Sequence, residues 1–268
     1  MDKKRSRLHA QNSSGEIVSA LANTFLFAEP LQHYLEYSTK VLHDLIAANR
    51  QGSQNIVELI GTDANPAKVK ETLASLNPIV FSMAAHGNYT TTTLECTELF
   101  MQVGDANVPL MKGRVVHLNS CQTGAELGPA IMSAGALAYL GSNESFWFYV
   151  GDEANTTRAV RSPFLAEWQF EVSLLKGKTV GEARTEMLAK YEEELTYWIE
   201  GEGKTHNDAG ELARILSINK AISTFAGTPG TKPSPNATVL VAGNTPWVLI
   251  GVGGLVAFLI YRELKRKI

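Results

Sequence analysis

Between positions 15 and 230, short apolar runs alternate with longer stretches whose apolar residues recur at helical spacing. The run 24–28 (TFLFA) predicts a first strand. Positions 31–49 then carry Tyr34, Tyr37, Val41, Leu45 and Ile46 on one helical face. NIVELI at Asn55–Ile60 predicts a second strand, closed by Gly61. Asn65-Pro66 opens a helix through Leu76, with proline at its first turn. The third strand, 78–85 (PIVFSMAA), is apolar almost throughout, as a strand buried on both faces must be.

A threonine-rich stretch over 89–110 has the alternation of a β-hairpin, including Leu94-Glu95-Cys96-Thr97. The run 114–119 (RVVHLN) predicts a fourth strand, leading into a turn at 121–124. A helix over 127–136 and a short strand over 137–140 follow, and 181–194 and 211–221 read as helices. No internal repeat is visible. The order predicts an α/β chain built from βαβ units, with a mainly parallel sheet covered by helices.

Composition narrows the class. The chain has 268 residues, of which 44% are hydrophobic and 19% charged, enough apolar material for a sizeable core. Charge is uneven. Residues 1–8 and 262–268 each carry +3, so the body between them carries −9 within a total of −3. A body of that sign disfavours nucleic acid as a partner. Cys96 and Cys121 are the only cysteines, too few for a disulfide scaffold. No clustered Cys/His ligand set appears, so the reading assigns no metal and no cofactor.

Near the C-terminus, 246–261 (PWVLIGVGGLVAFLIY) has no charged residue and runs into RELKRKI. Sixteen residues make roughly 24 Å of helix, which flanking residues and snorkelling basic side chains extend toward the ~30 Å hydrocarbon core. Trp247 and Tyr261 stand where interfacial aromatics belong. The proline-bearing stretch 231–245 reads as a linker. The expectation is a flexible basic head at 1–14, an α/β domain at 15–230, the linker, a transmembrane helix at 246–261 and a basic tail at 262–268. A buried C-terminal helix is the competing reading.

Two rules conflict on the side of the membrane. The basic tail favours a cytoplasmic C-terminus and an exported body. The head, however, has no apolar run of the kind an export signal needs. Asn12, Asn88, Asn143, Asn155 and Asn236 lie in N-x-Ser/Thr triplets, a slight argument for export. A tail-anchored cytosolic body is the alternative.

Candidate chemistry collects at two strand ends. Ala85-His86-Gly87 follows the third strand, and Asn119-Ser120-Cys121-Gln122-Thr123-Gly124 follows the fourth. Ligands of open parallel sheets bind beyond the carboxyl ends of the strands. Neighbouring strands here would set an imidazole against a thiol, the pair that nucleophilic catalysis needs. Gly87 permits close backbone approach, and its N–H with that of Cys121 suits an oxyanion hole. His117 is a rival base. It lies four residues before Cys121 on one strand, roughly 13 Å away at ~3.3 Å per residue, which fits a packed core histidine.

These residues carry a resemblance. VELIGTDA at 57–64, FSMAAHGN at 81–88, RVVHLNSCQTG at 114–124 and GALAYLG at 135–141 follow in the order found in the caspase–gingipain group (clan CD) of cysteine peptidases. The likeness is to the gingipain-like and CHAT branches. LLKGKTVGEAR resembles a helix start of the same group. FAGTP at 225–229 sits where members carry a "GDP" turn, with Thr228 in place of Asp. The resemblance implies a caspase-like α/β/α sandwich and a His–Cys dyad, with His86 as general base and acid and Cys121 as nucleophile. It implies a protein or peptide substrate and places Asn119, two residues before the nucleophile, in the S1 pocket. The loop after Leu140 would form another pocket wall. Glu144, Asp152 and Glu153 there either select a basic P1 residue or are solvated carboxylates, and Phe146, Trp147 and Phe148 either line the cleft or pack beneath the loop.

The expected function is a membrane-anchored cysteine endopeptidase, its activating partner unknown. The opposing readings are a catalytically silent caspase-like module that binds a partner at a membrane, and a flavodoxin-like ligand-binding domain. The last lacks a glycine-rich phosphate loop.

Overall fold

The apolar runs at 24–29, 80–84, 115–119 and 138–142 are buried on both faces because helices cover the sheet from both sides, whereas the run Asn55–Ile60 lies at the sheet edge and stays partly exposed. The computed structural model describes residues 24–31, 35–50, 54–94, 98–150 and 157–233. Strands β1 (Thr24–Glu29), β2 (Asn55–Ile60), β3 (Val80–Ala84), β7 (Val115–Asn119), β8 (Ala138–Ser142) and β9 (Ser223–Gly227) form a six-stranded sheet in the order β2-β1-β3-β7-β8-β9. All neighbouring pairs are parallel except β8 with β9.

Alternation along each strand sorts the core into two layers. Phe25, Phe27, Val80, Val115, Ala138 and Leu140 face one apolar cluster. Helices α1 (Leu35–Asn49), α4 (Arg158–Glu167), α5 (Gln169–Leu175), α6 (Val180–Ile199) and α7 (Ala209–Ile222) contribute to it. Leu26, Ala28, Phe81, Met83, Val116, Leu118 and Tyr139 face the other cluster, which α2 (Pro66–Leu76) and α3 (Leu127–Ser133) cover. A small antiparallel sheet helps to close that second layer: β4 (His86–Gly87), β5 (Thr91–Leu94) and β6 (Glu98–Gln102). The fold is a mixed α/β sandwich with a mainly parallel central sheet.

Local signals account for several boundaries. The Asn65 side chain accepts from the Lys68 N–H and Pro66 takes the first turn of α2. Thr179 and Glu182 cap α6 reciprocally. The structure departs from the sequence reading in three places. The hairpin over 89–110 gains a third strand, because His86–Gly87 pairs with β5. Residues 158–175, whose apolar pattern predicts no element, form α4 and α5. FAGTP is a strand end before it is a turn. β9 runs through Gly227, and Pro229 and Thr231 then accept the N–H groups of Gly181 and Val180 at the start of α6. Among the described residues no helix is long and apolar enough to cross a membrane. The span 246–261, most of the linker, the basic head and tail, Cys96, Asp152 and Glu153 lie outside the described residues.

Candidate active site

The parallel pairing of β3 with β7 puts Ala84 beside Asn119, and the Ala85 N–H donates to the Asn119 carbonyl at 3.1 Å. The two chains therefore leave the sheet side by side. One continues into His86 and Gly87, the other into Ser120 and Cys121. His86 is exposed, while Cys121 is half-buried and carries a free thiol.

The two turns touch at Gly87. A Cβ on Gly87 would stand 2.7 Å from Thr123 Cγ2, 2.8 Å from the Cys121 carbonyl oxygen and 3.0 Å from Ser120 Oγ. Only glycine brings the backbone beside His86 this close to the Cys121 turn.

The Cys121 turn is held from three directions. Beneath it, the Tyr139 hydroxyl donates to Thr123 Oγ1 at 2.9 Å, and Thr123 Oγ1 lies 3.0 Å from Ser120 Oγ. Burial keeps the Tyr139 phenol protonated well above the usual tyrosine range, so it stays a donor. Along its side, Gln122 and Gly124 donate their N–H groups to the carbonyls of Glu144 at 3.0 Å and Ser142 at 2.8 Å. From the hairpin side, Leu127 donates to the Tyr89 carbonyl at 2.9 Å. Gln122 completes the turn in the left-handed region at φ 62°, a conformation that costs a residue with a side chain of the order of 1–2 kcal/mol.

The other expected residues take distinct positions. Glu144 is exposed, and its backbone carbonyl ties its loop to the Cys121 turn. Asn119 is only 5% exposed, with its Nδ2 lacking a hydrogen-bond partner. Phe146 and Phe148 pack on Phe164, with ring centroids 5.8 Å and 5.6 Å away, so both lie beneath the loop. Trp147 is exposed; the Asn219 amide holds its backbone at both N–H and carbonyl, and the Arg214 guanidinium lies over its ring.

His117 is buried between two carboxylates, with Nδ1 2.7 Å from Glu171 and Nε2 3.0 Å from Glu167. Ser82 donates to Glu171 and Tyr191 donates to Glu167. Burial works to lower this imidazole, but the Glu171 charge and the hydrogen bonds that its ring N–H groups donate to both carboxylates outweigh it and push His117 up to about 9. Both ring nitrogens are occupied, so His117 is a core ion group rather than a base for Cys121. Groups able to converge on a metal ion stand elsewhere, at Glu29, His43 and Glu58.

The hydroxyl chain Tyr139–Thr123–Ser120 was not legible in the sequence. The local hint is the pair of hydroxyl residues flanking Cys121-Gln122, but its donor comes from sixteen residues beyond Thr123.

No family model matches the sequence, and no curated protein matches it. Among solved structures, an inactive zymogen of a C11 protease from Parabacteroides distasonis is similar at a TM-score of 0.34 and 9% identity, over 77% of this chain and 83% of that one. A likeness of that degree assigns neither a family nor an activity.

Proposed function

We propose that this chain is a caspase-type cysteine endopeptidase in which Cys121 is the nucleophile and His86 the general base and acid. The observation that carries the reading is the contact of two turns at adjacent carboxyl ends of a parallel sheet, with Gly87 against the Cys121 carbonyl. In this reading His86 takes the thiol proton, and the thiolate attacks the scissile carbonyl of a protein or peptide. The imidazolium then protonates the leaving amine, and water activated by His86 resolves the thioester. The backbone N–H groups of Gly87 and Cys121 face the developing oxyanion. Glu144, tied to the Cys121 turn through its own carbonyl, is proposed with Asn119 to meet the P1 side chain; Asp152, outside the described residues, is a further candidate from the sequence alone. A basic P1 residue is the proposed preference.

The chain is further proposed to be held at a membrane through 246–261, with its activating partner still to be found. The decisive experiment is cleavage of a peptide library by the full-length protein beside Cys121→Ala and His86→Ala. Cleavage lost in both variants supports the dyad, and a Lys/Arg P1 preference supports the acidic wall. Activity surviving Cys121→Ala overturns the mechanism. Protease accessibility of the body in intact cells decides the topology, since protection means a cytosolic domain and digestion an exported one.

A further inference from the structure

Glu29 closes β1, a strand whose other residues are all buried, and it is itself 0% exposed. A carboxylate at such a place is expected to be paired or hydrogen-bonded. Neither of its oxygens meets hydrogen-bond geometry with any group. The parallel register sets Phe27 beside Glu58, so Glu58 of β2 and Glu29 share a sheet face on a diagonal. Helix α1 packs over that face and brings in His43, whose Nδ1 lies 2.7 Å from Glu58 Oε1. One ligand atom from each of Glu29, His43 and Glu58 lies within 4.8 Å of the others.

We infer that Glu29, His43 and Glu58 form a binding site for a first-row divalent cation of the zinc and cobalt class. A neutral imidazole and two carboxylates bring −2 against a +2 ion. Three protein ligands with a remaining position for water is the pattern of open zinc sites. An ion at about 2.1 Å from each ligand in tetrahedral geometry sets ligand atoms about 3.4 Å apart. The 2.7 Å between His43 and Glu58 must therefore open slightly, an adjustment within the reach of side-chain rotation. Calcium and magnesium favour oxygen-only, higher-coordination sites, and the imidazole selects against them. The His43 side chain is 49% exposed, so the open position faces solvent.

The geometry also gives the ion a purpose. It joins β1, the edge strand β2 and α1, segments that no covalent bond among these three residues connects. Without a cation the fully buried Glu29 carboxyl group lies close to the Glu58 carboxylate, and a bound ion would neutralise both. The site lies on β1 and β2, separated from β7 by β3, and stands independently of the proposed peptidase reaction.

The test is titration of the full-length protein, stripped with a chelator, with Co²⁺ alone, read by visible absorption and stoichiometry. One Co²⁺ per chain is expected, displaced by Zn²⁺ but not by equal Ca²⁺. Zn²⁺ at a hundredfold excess over its dissociation constant should raise the unfolding temperature by about 5–10 °C. His43→Ala and Glu58→Gln should each weaken Co²⁺ binding by more than the about 10–100-fold that even outer-sphere partners carry. His43 is half-exposed, so its alanine variant separates loss of a ligand from loss of the fold. Circular dichroism of that variant should match the wild type. Uptake unchanged in the His43→Ala, Glu58→Gln double variant overturns the site, as does no one-per-chain uptake or displacement by Ca²⁺. A Glu58→Gln variant more stable than wild type, with neither responding to Co²⁺ or Zn²⁺, overturns it in favour of a carboxyl pair sharing a proton.

Discussion

Gly87 packs against the carbonyl oxygen of Cys121 so closely that a methyl group at position 87 would stand 2.8 Å from it. That contact joins the turn carrying His86 to the turn carrying the thiol. It makes the relative placement of the proposed dyad a property of the backbone rather than of either side chain.

Gly87→Ala should therefore act on activity more than on folding. The new Cβ meets the backbone oxygen of Cys121, which cannot rotate away, as well as the Thr123 methyl. Overpacking of this kind costs about 1–3 kcal/mol. Displacement of reacting groups by an ångström costs about 100-fold in rate. Peptide cleavage should fall by that order while the variant still unfolds cooperatively. Unchanged kcat/KM would show that the two turns do not act together.

Tyr139→Phe isolates the support beneath the nucleophile. The side chain sits where Gly128 and Gly141 leave room for it: a Cβ on Gly128 would stand 2.5 Å from the ring at Cε1, and one on Gly141 would stand 2.8 Å from the ring at Cζ. Phenylalanine keeps that packing and removes only the donor to Thr123. Stability should drop by about 0.5–1.5 kcal/mol. As a positioning residue, Tyr139 should affect kcat, with KM nearly unchanged. A matched fall in neither, with wild-type stability, would mean that the hydroxyl chain does not brace the turn.

Gln122 tests the shape of the same turn. At φ 62°, Gln122→Val forces a β-branched side chain into the left-handed region, at a cost of about 1–3 kcal/mol, whereas Gln122→Asn and Gln122→Gly should fold like the wild type. Urea midpoints of the three variants check this ordering. A valine variant as stable as the asparagine one would rule out the left-handed turn.

His117 makes stability depend on pH in a defined direction. Its ordinary value is 6.5 and its value in the fold is about 9. The stabilisation from charged His117 between Glu167 and Glu171 is thus fully present below about 6.5 and is lost as pH rises through about 9. Glu29, also held near 9, weakens the fold in the same direction as pH rises from its ordinary 4.5. The His117 share is accordingly read as the difference from His117→Gln, with a chelator present. That variant leaves two buried carboxylates without their cation and should be about 3–5 kcal/mol less stable near neutrality. A wild-type urea midpoint that stays flat or rises between pH 7 and 9.5 would contradict the ion group.

Strands β1, β3, β7 and β8 were legible because burial on both faces leaves an apolar run that needs no periodicity to detect. His86 and Cys121 were legible as chemistry-bearing residues at strand ends, and the adjacency of those ends follows from the β3–β7 pairing. Helices α4 and α5 were not legible, and the reason is local. Glu167 and Glu171 stand four residues apart on a buried helical face, where an apolar period would otherwise run. Those carboxylates are tolerated there only because β7 presents His117 to both. Strand β9 was missed for the opposite reason. STFAG is half-buried and short, and it becomes a strand because β8 offers an unpaired edge.

By itself, then, the chain determines the alternation of strands and helices, the caps of α2 and α6, and the two turns that end in His-Gly and Ser-Cys. These depend on residues within one or two helical turns of each other, so their physical causes are written locally. Tertiary structure alone decides that Gly87 meets Cys121, that Tyr139 reaches Thr123, and that Glu29, His43 and Glu58 converge. Each of those contacts depends on strand register or on helix placement, because residues from 14 to 34 positions apart meet only after the sheet has chosen its neighbours.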